Sequence, residues 1–168
     1  MSLPASRVYR YVGPEHVLER VADLPPGARI TRAEELVAWL RAQGSREEEV
    51  TATFTVGLDG VLCVADRHAE HVACAGFRPV LAAGEMTFAG DPPEVVGVTN
   101  QSTGYCPEPE CWRAVAAALD RAGFRRPDGW TAAFVFRRCP ACGQRNLVKD
   151  DWWRCAVCDA GLPRGWNF

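Results

Sequence analysis

The sequence predicts an α+β fold: a mainly antiparallel sheet with an N-terminal helical pair, one central helix and a C-terminal zinc ribbon. Three observations carry that prediction. Apolar residues recur at helical spacing in "TRAEELVAWLRAQG" and again after Cys111, where Trp112, Val115, Ala116 and Leu119 share a face. Between residues 50 and 99 the period changes to two, with β-branched and aromatic residues bounded by Gly and Pro. Two Cys-x-x-Cys pairs, separated by twelve residues, stand near the end. A chain of 168 residues suits one sizeable core with a small appendage. The expected division is residues 1–48, a strand and helices packed on the main domain; 49–136, a central α+β domain; and 137–168, the ribbon.

The elements follow in order. "RVYRYVG" reads as a short strand, and "PEHVLERVADL" as a helix with Pro14 in its first turn and an acid beside it. "LPPGARI" breaks the chain. The second helix has Thr31 as N-cap, Glu34 three residues on as its capping box, Gly44 as its stop, and a buried stripe of Leu36, Val37 and Leu40. The "LDG" turn joins strands near 50–56 and 61–65 into a hairpin. "PVLAAGEMTFAG" and "PEVVGVTN" make a second pair, joined through "AGDPP". The central helix ends at Gly123, where a left-handed backbone is needed, and "TAAFVF" is one more strand.

Apolar residues make up 48% of the chain and charged residues 24%, ordinary values for a water-soluble globular domain. No run approaches the roughly 20 apolar residues that cross a bilayer, and the first twenty residues lack a signal-peptide core. The expected location is the cytoplasm, with no membrane partner. Residues 1–112 hold 9 basic and 16 acidic groups, a net −7, whereas residues 113–168 hold 10 and 5, a net +5.

Eight cysteines without a secretion signal argue for metal ligation or free thiols rather than a disulfide framework. Cys139 and Cys142 in "CPACG", with Cys155 and Cys158 in "CAVCDAG", can close a tetrahedral shell around one ion. Zn2+ is the expected ion; iron suits the same four thiolates. Gly143 and Gly161 permit tight turns after each pair, and "DDWWR" reads as a strand between them. With all four positions filled by protein, no site remains for a water, so the ribbon serves structure or recognition. Arg137, Arg138, Arg145, Lys149, Arg154 and Arg164, with Trp152, Trp153 and Trp166, either bind nucleic acid or pack the ribbon on the main domain. Packing is the preferred reading.

The stretch "VTNQSTGYCPEPECW" delivers Cys106 and Cys111 to the start of the central helix. Zinc deaminases use His-x-Glu on one helix and Pro-Cys-x-x-Cys on another, and "HAE" at 68–70 invites that comparison. Three features oppose it. Five residues on a helix turn through about 140°. Gly76 and Pro79 deny His68 and Glu70 a long helix, and no proline precedes either cysteine. A second zinc at His68, His71, Cys106 and Cys111 is a lesser alternative. Cys106, just before a helix N-terminus, would have a lowered pKa. Cys63, Cys74 and Cys111 read as small apolar core groups.

"HVACAGFRPVLAAGEMTF" followed by "VTNQSTGYCP" resembles a module of bacterial polymorphic-toxin-type proteins and plant IQ-motif calmodulin-binding proteins. That module runs His, small residues, Val-x-Ala-Ala-Gly-Glu, then Asn-x-Ser-Gly-His-Tyr-x-Pro. His71, Gly84, Glu85, Asn100, Ser102, Tyr105 and Pro107 fall on its positions, over about a quarter of the chain. Thr103 and Gly104 replace its Gly-His, so that histidine's role is not carried over. The whole chain, ribbon included, resembles a bacterial protein family. The resemblance implies a shared fold and pocket rather than a particular reaction. Two functional readings follow. In the first, a binding module for a protein or small-molecule partner uses Asn100, Ser102 and Tyr105. In the second, an enzyme uses His71, Glu85 and Cys106 as a thiol-dependent site or a zinc hydrolase.

Overall fold

A computed structural model describes residues 6–44 and 48–168. Five antiparallel strands form the main sheet in the order β1-β3-β2-β4-β5: β1 Ala28–Ile30, β2 Glu49–Gly57, β3 Leu62–Asp66, β4 Val80–Ala89 and β5 Glu94–Thr99. Helices α1 (Glu15–Val21), α2 (Ala33–Ala42), α3 (His71–Cys74) and α4 (Trp112–Ala122) surround it. A separate hairpin of β6 (Val135–Arg138) and β7 (Arg145–Val148) belongs to the C-terminal four-cysteine unit. The architecture is α+β, as the change of period predicts.

The alternation in "VTATFTV" explains how the central strand β2 faces two ways. Ala52, Phe54 and Val56 are buried in register with Met86, Gly84 and Ala82 of β4, and they join Leu36 of α2 with Val115 and Leu119 of α4 in one core. Thr51, Thr53 and Thr55 point to the opposite face. Buried hydroxyls need partners there. Thr53 donates to the carbonyls of Arg67 and Ala69, and Thr55 Oγ1 meets Cys74 Sγ of α3 at 3.7 Å. The segment carrying "RHAEH" is thereby fixed over the threonine face.

Several boundaries differ from the sequence reading. "RVYRYVG" forms no strand; only Tyr9 pairs, exchanging both backbone bonds with Val80. Part of the "LPPGARI" break is strand β1, because Arg29 finds an antiparallel partner in Cys63. The start of α2 is shifted by one residue: Glu35, not Glu34, accepts from the backbone N–H groups of Thr31 (2.6 Å) and Arg32 (3.1 Å). Of its expected stripe only Leu36 is fully buried, with Val37 and Leu40 half-buried. Gly123 ends α4 at φ 82°, the left-handed cap expected of it. "TAAFVF" is mostly not a strand, since Thr131 only hooks to Val98 while β6 begins at Val135 and pairs with β7. "DDWWR" likewise contributes one bridge, Arg154 to Gly161, and β7 is the true second strand of the hairpin.

Candidate metal centre

The first Cys-x-x-Cys pair follows β6 directly and the second follows the loop after β7. Each folds into the same knuckle. Cys139 N–H donates to Gln144 O and Gly143 N–H to Cys139 O; correspondingly Cys155 N–H donates to Ala160 O and Asp159 N–H to Cys155 O. The left-handed residue after each second cysteine is Gly143 (φ 78°) in one knuckle and Asp159 (φ 60°) in the other. Gly161 was expected in that role. Asp159 tolerates the position because a short polar side chain admits the left-handed region, and its carboxylate also meets Arg154 through two 2.7 Å bonds.

The four Sγ atoms lie within 4.8 Å of one another. Cys139 meets Cys158 at 3.5 Å and Cys142 meets Cys155 at 3.6 Å. A tetrahedron with metal–sulfur bonds of about 2.3 Å has edges of about 3.8 Å, so the donor set fits one ion. Backbone N–H groups are aimed at the sulfurs. Those of Cys158 and Val157, helped by the Asn146 amide, pull the Cys155 thiol down to about 6, and those of Cys142 and Ala141 lower Cys139. For Cys142 the Gln144 N–H acts in the same direction, but lost hydration and the neighbouring sulfurs prevail and push it up to about 12. Cys158 also rises: against the Ala160 N–H stands the nearby Cys139 sulfur. Cys155 and Cys139 are thus shifted down and Cys142 and Cys158 up, a split among neighbouring sulfurs that a dication would remove.

The ribbon's arginines are engaged within the chain. Arg137 binds Glu108 and the carbonyls of Arg164 and Phe136; Arg154 binds Asp159; Arg164 binds Asp151; Arg145 donates to Thr103 O and Arg138 to Gly143 O. Trp153 lies beneath Arg137 and Arg164. Trp166 packs edge-on against Tyr9 at 5.6 Å and donates its indole N–H to Cys106 O at 2.9 Å. Trp152, by contrast, is 64% exposed.

The other candidate residues fall into two places. Asn100, Ser102, Tyr105 and Cys106 share the loop between β5 and α4. Asn100 is completely buried; its amide donates to Pro107 O and Phe134 O and accepts from Phe134 N–H. Ser102 Oγ accepts from Tyr105 N–H, and Tyr105 donates its hydroxyl to Arg78 O at 2.8 Å. Cys106 lies at φ 45°, several residues before the 3-10 turn Pro109–Cys111 that leads into α4. Its pKa moves opposite to the expected direction, because burial pushes the thiol up to about 11 despite Arg145 and Arg138 nearby. The helix end that was to lower it is too far along the chain.

Glu85 lies in β4, and His71 of α3 bonds to the residue before it. His71 Nε2 donates to Gly84 O at 2.9 Å, and Glu85 stands between Thr53 and Thr99 in the sheet register. Gly84 itself is required: a Cβ there would come within 1.8 Å of Thr99 O. No hydrogen bond among the described residues links His71 to Cys106. His68 is exposed and bonds Asp66, and Glu70 pairs with Arg20. Cys63 is half-buried, while Cys74 and Cys111 are buried, with burial raising both buried thiols to about 12. Among the described residues, His68, His71, Cys106 and Cys111 do not gather as a group of metal donors. Sequence reasoning missed Glu108 and Asn146. The available signal for Asn146 was an amide beside the first knuckle in an otherwise strand-like "NLV".

No protein-family model, curated protein or solved structure matches the chain.

Proposed function

We propose that this chain is a cytoplasmic zinc protein in which Cys139, Cys142, Cys155 and Cys158 hold one structural Zn2+. The ion fastens a ribbon onto a domain that binds a protein or small-molecule partner. The observation that carries this reading is the close approach of four sulfurs, all within 4.8 Å, beneath inward-directed N–H groups. A closed shell of four thiolates is a usual structural form of zinc, and it leaves no open coordination position for catalysis. Cys63, Cys74, Cys106 and Cys111 are unpaired thiols, which suits a reducing compartment. No helix among the described residues is long and apolar enough to cross a membrane.

The ribbon's arginines and Trp166 favour packing over nucleic-acid binding, since each arginine named above already has an acceptor within the chain. The likeness of residues 71–107 to the polymorphic-toxin-type module supports partner or ligand binding by the main domain, rather than a named reaction. Elemental analysis of purified protein tests the metal reading. One zinc per chain, lost in a Cys139→Ser, Cys142→Ser double variant, is the expected result. A metal-free wild type would overturn it, and iron with visible thiolate absorption would replace zinc.

A further inference from the structure

We infer that Asn146 is a positioning residue of the metal centre, holding the Cys155 sulfur in place and locking the second knuckle to the first. This rests on the zinc reading above. Asn146 lies in β7 opposite Arg137 and is 5% exposed. Its carboxamide makes three contacts. Nδ2 donates to Gln144 O at 3.0 Å and to Cys155 Sγ at 3.5 Å, and Oδ1 accepts from Ala156 N–H at 2.9 Å.

The chemistry permits one orientation of the amide. Flipping it would set Oδ1 against a carbonyl oxygen and a sulfur, both acceptors, and the NH2 against the Ala156 N–H, a donor. Gln144 O also accepts from Cys139 N–H, so one side chain joins the closing bond of the first knuckle to the sulfur of the second. Other metal-independent ties between the halves, Arg137 to Arg164 O and the Arg138 backbone with the Asn167 amide, run from β6 to the C-terminal segment and touch neither cysteine pair. The ribbon's apolar cluster contains only Cys139, Cys155 and Leu162, with Val148, Trp153 and Ala160 packed against them. The bridge from Arg154 to Gly161 lies wholly within the second half. Groups that hydrogen-bond to a metal's ligands orient them and tune their donor strength, and their loss typically lowers metal affinity about 10- to 100-fold.

Two variants of the full chain separate this role from simple packing. Asn146→Asp keeps the size and the acceptor for Ala156 N–H, but it faces a carboxylate oxygen to the thiolate and the Gln144 carbonyl. Asn146→Ala removes the side chain without adding repulsion. Zinc affinity, measured by competition with a chromophoric chelator, should fall in both and further in the aspartate variant. The sulfur-to-cobalt absorption of the Co2+-loaded protein should shift with it. An aspartate variant that binds more tightly than the alanine variant would assign Asn146 a packing role and overturn the inference. Wild-type affinity and spectrum in both would also overturn it, leaving the zinc reading intact. A wild type that takes up neither zinc nor cobalt would overturn the zinc reading, and this inference with it.

Discussion

Arg137 of the ribbon and Glu108 of the loop before α4 form a bidentate ion pair, at 2.5 and 3.3 Å, with side chains only 4% and 12% exposed. Removing one partner of such a pair leaves the other charge buried, which typically costs about 3–5 kcal/mol. Glu108→Gln should therefore destabilise the protein by about 3 kcal/mol, the lower end, because Arg137 keeps the carbonyls of Arg164 and Phe136. Pairing it with Arg137→Met should recover much of that loss. Urea unfolding of the two single variants and the double one measures this, and additive effects would refute the coupling.

Asn100 is the hub of the loop after β5. Its three bonds satisfy Pro107 O and both backbone groups of Phe134. Asn100→Ala leaves these groups without their partner in a site closed to solvent, where each orphaned group costs about 1–3 kcal/mol. A loss of about 3 kcal/mol or more is expected in chemical unfolding. A loss below about 1 kcal/mol would mean that the loop relaxes to water and that Asn100 is not its anchor.

The β2–β3 and β4–β5 pairings and the stop at Gly123 were legible because local chemistry sets them: alternation in "VTATFTV", turn residues in "LDG" and "AGDPP", and a glycine where φ is positive. The four-cysteine cluster was legible because tetrahedral thiolate chemistry imposes such a spacing. The roles of Asn100, Glu108 and Asn146 were not. Their partners lie 34, 29 and 9–10 residues away at Phe134, Arg137 and Cys155–Ala156, and no period in the chain encodes such contacts. The displaced strand at "DDWWR" has the same cause. Its tryptophans look β-forming in isolation, yet Trp153 is held beneath two arginines, while β7 takes the ladder beside Phe136.

Metal removal should uncover Cys106. Arg145 and Trp166, both from the ribbon, lie over its loop through Thr103 O and Cys106 O. A ribbon this small would take most of its folding free energy from a bound ion. Chelation should therefore accelerate alkylation of Cys106 while leaving Cys74 and Cys111, buried in the main core, protected. Mass-spectrometric labelling with and without chelator reads this out. Equal Cys106 labelling in both conditions would show that the loop stays covered without metal.

His71 makes stability depend on pH in a defined direction. Loss of hydration holds its imidazole below the ordinary 6.5, although the Gly84 carbonyl and Glu70 pull the other way. The folded state therefore favours neutral His71, whose Nε2–H is the donor to Gly84 O. A depressed folded pKa means that the unfolded chain binds the extra proton more readily in acid. The contribution is fully present above about pH 6.5 and is lost as pH falls toward the folded value, at a slope of at most about 1.4 kcal/mol per pH unit. Replacing His71 with Gln, which retains an N–H donor and cannot titrate, should flatten the unfolding free energy between pH 7 and 5. A wild-type slope that survives the substitution would assign the acid sensitivity to other groups.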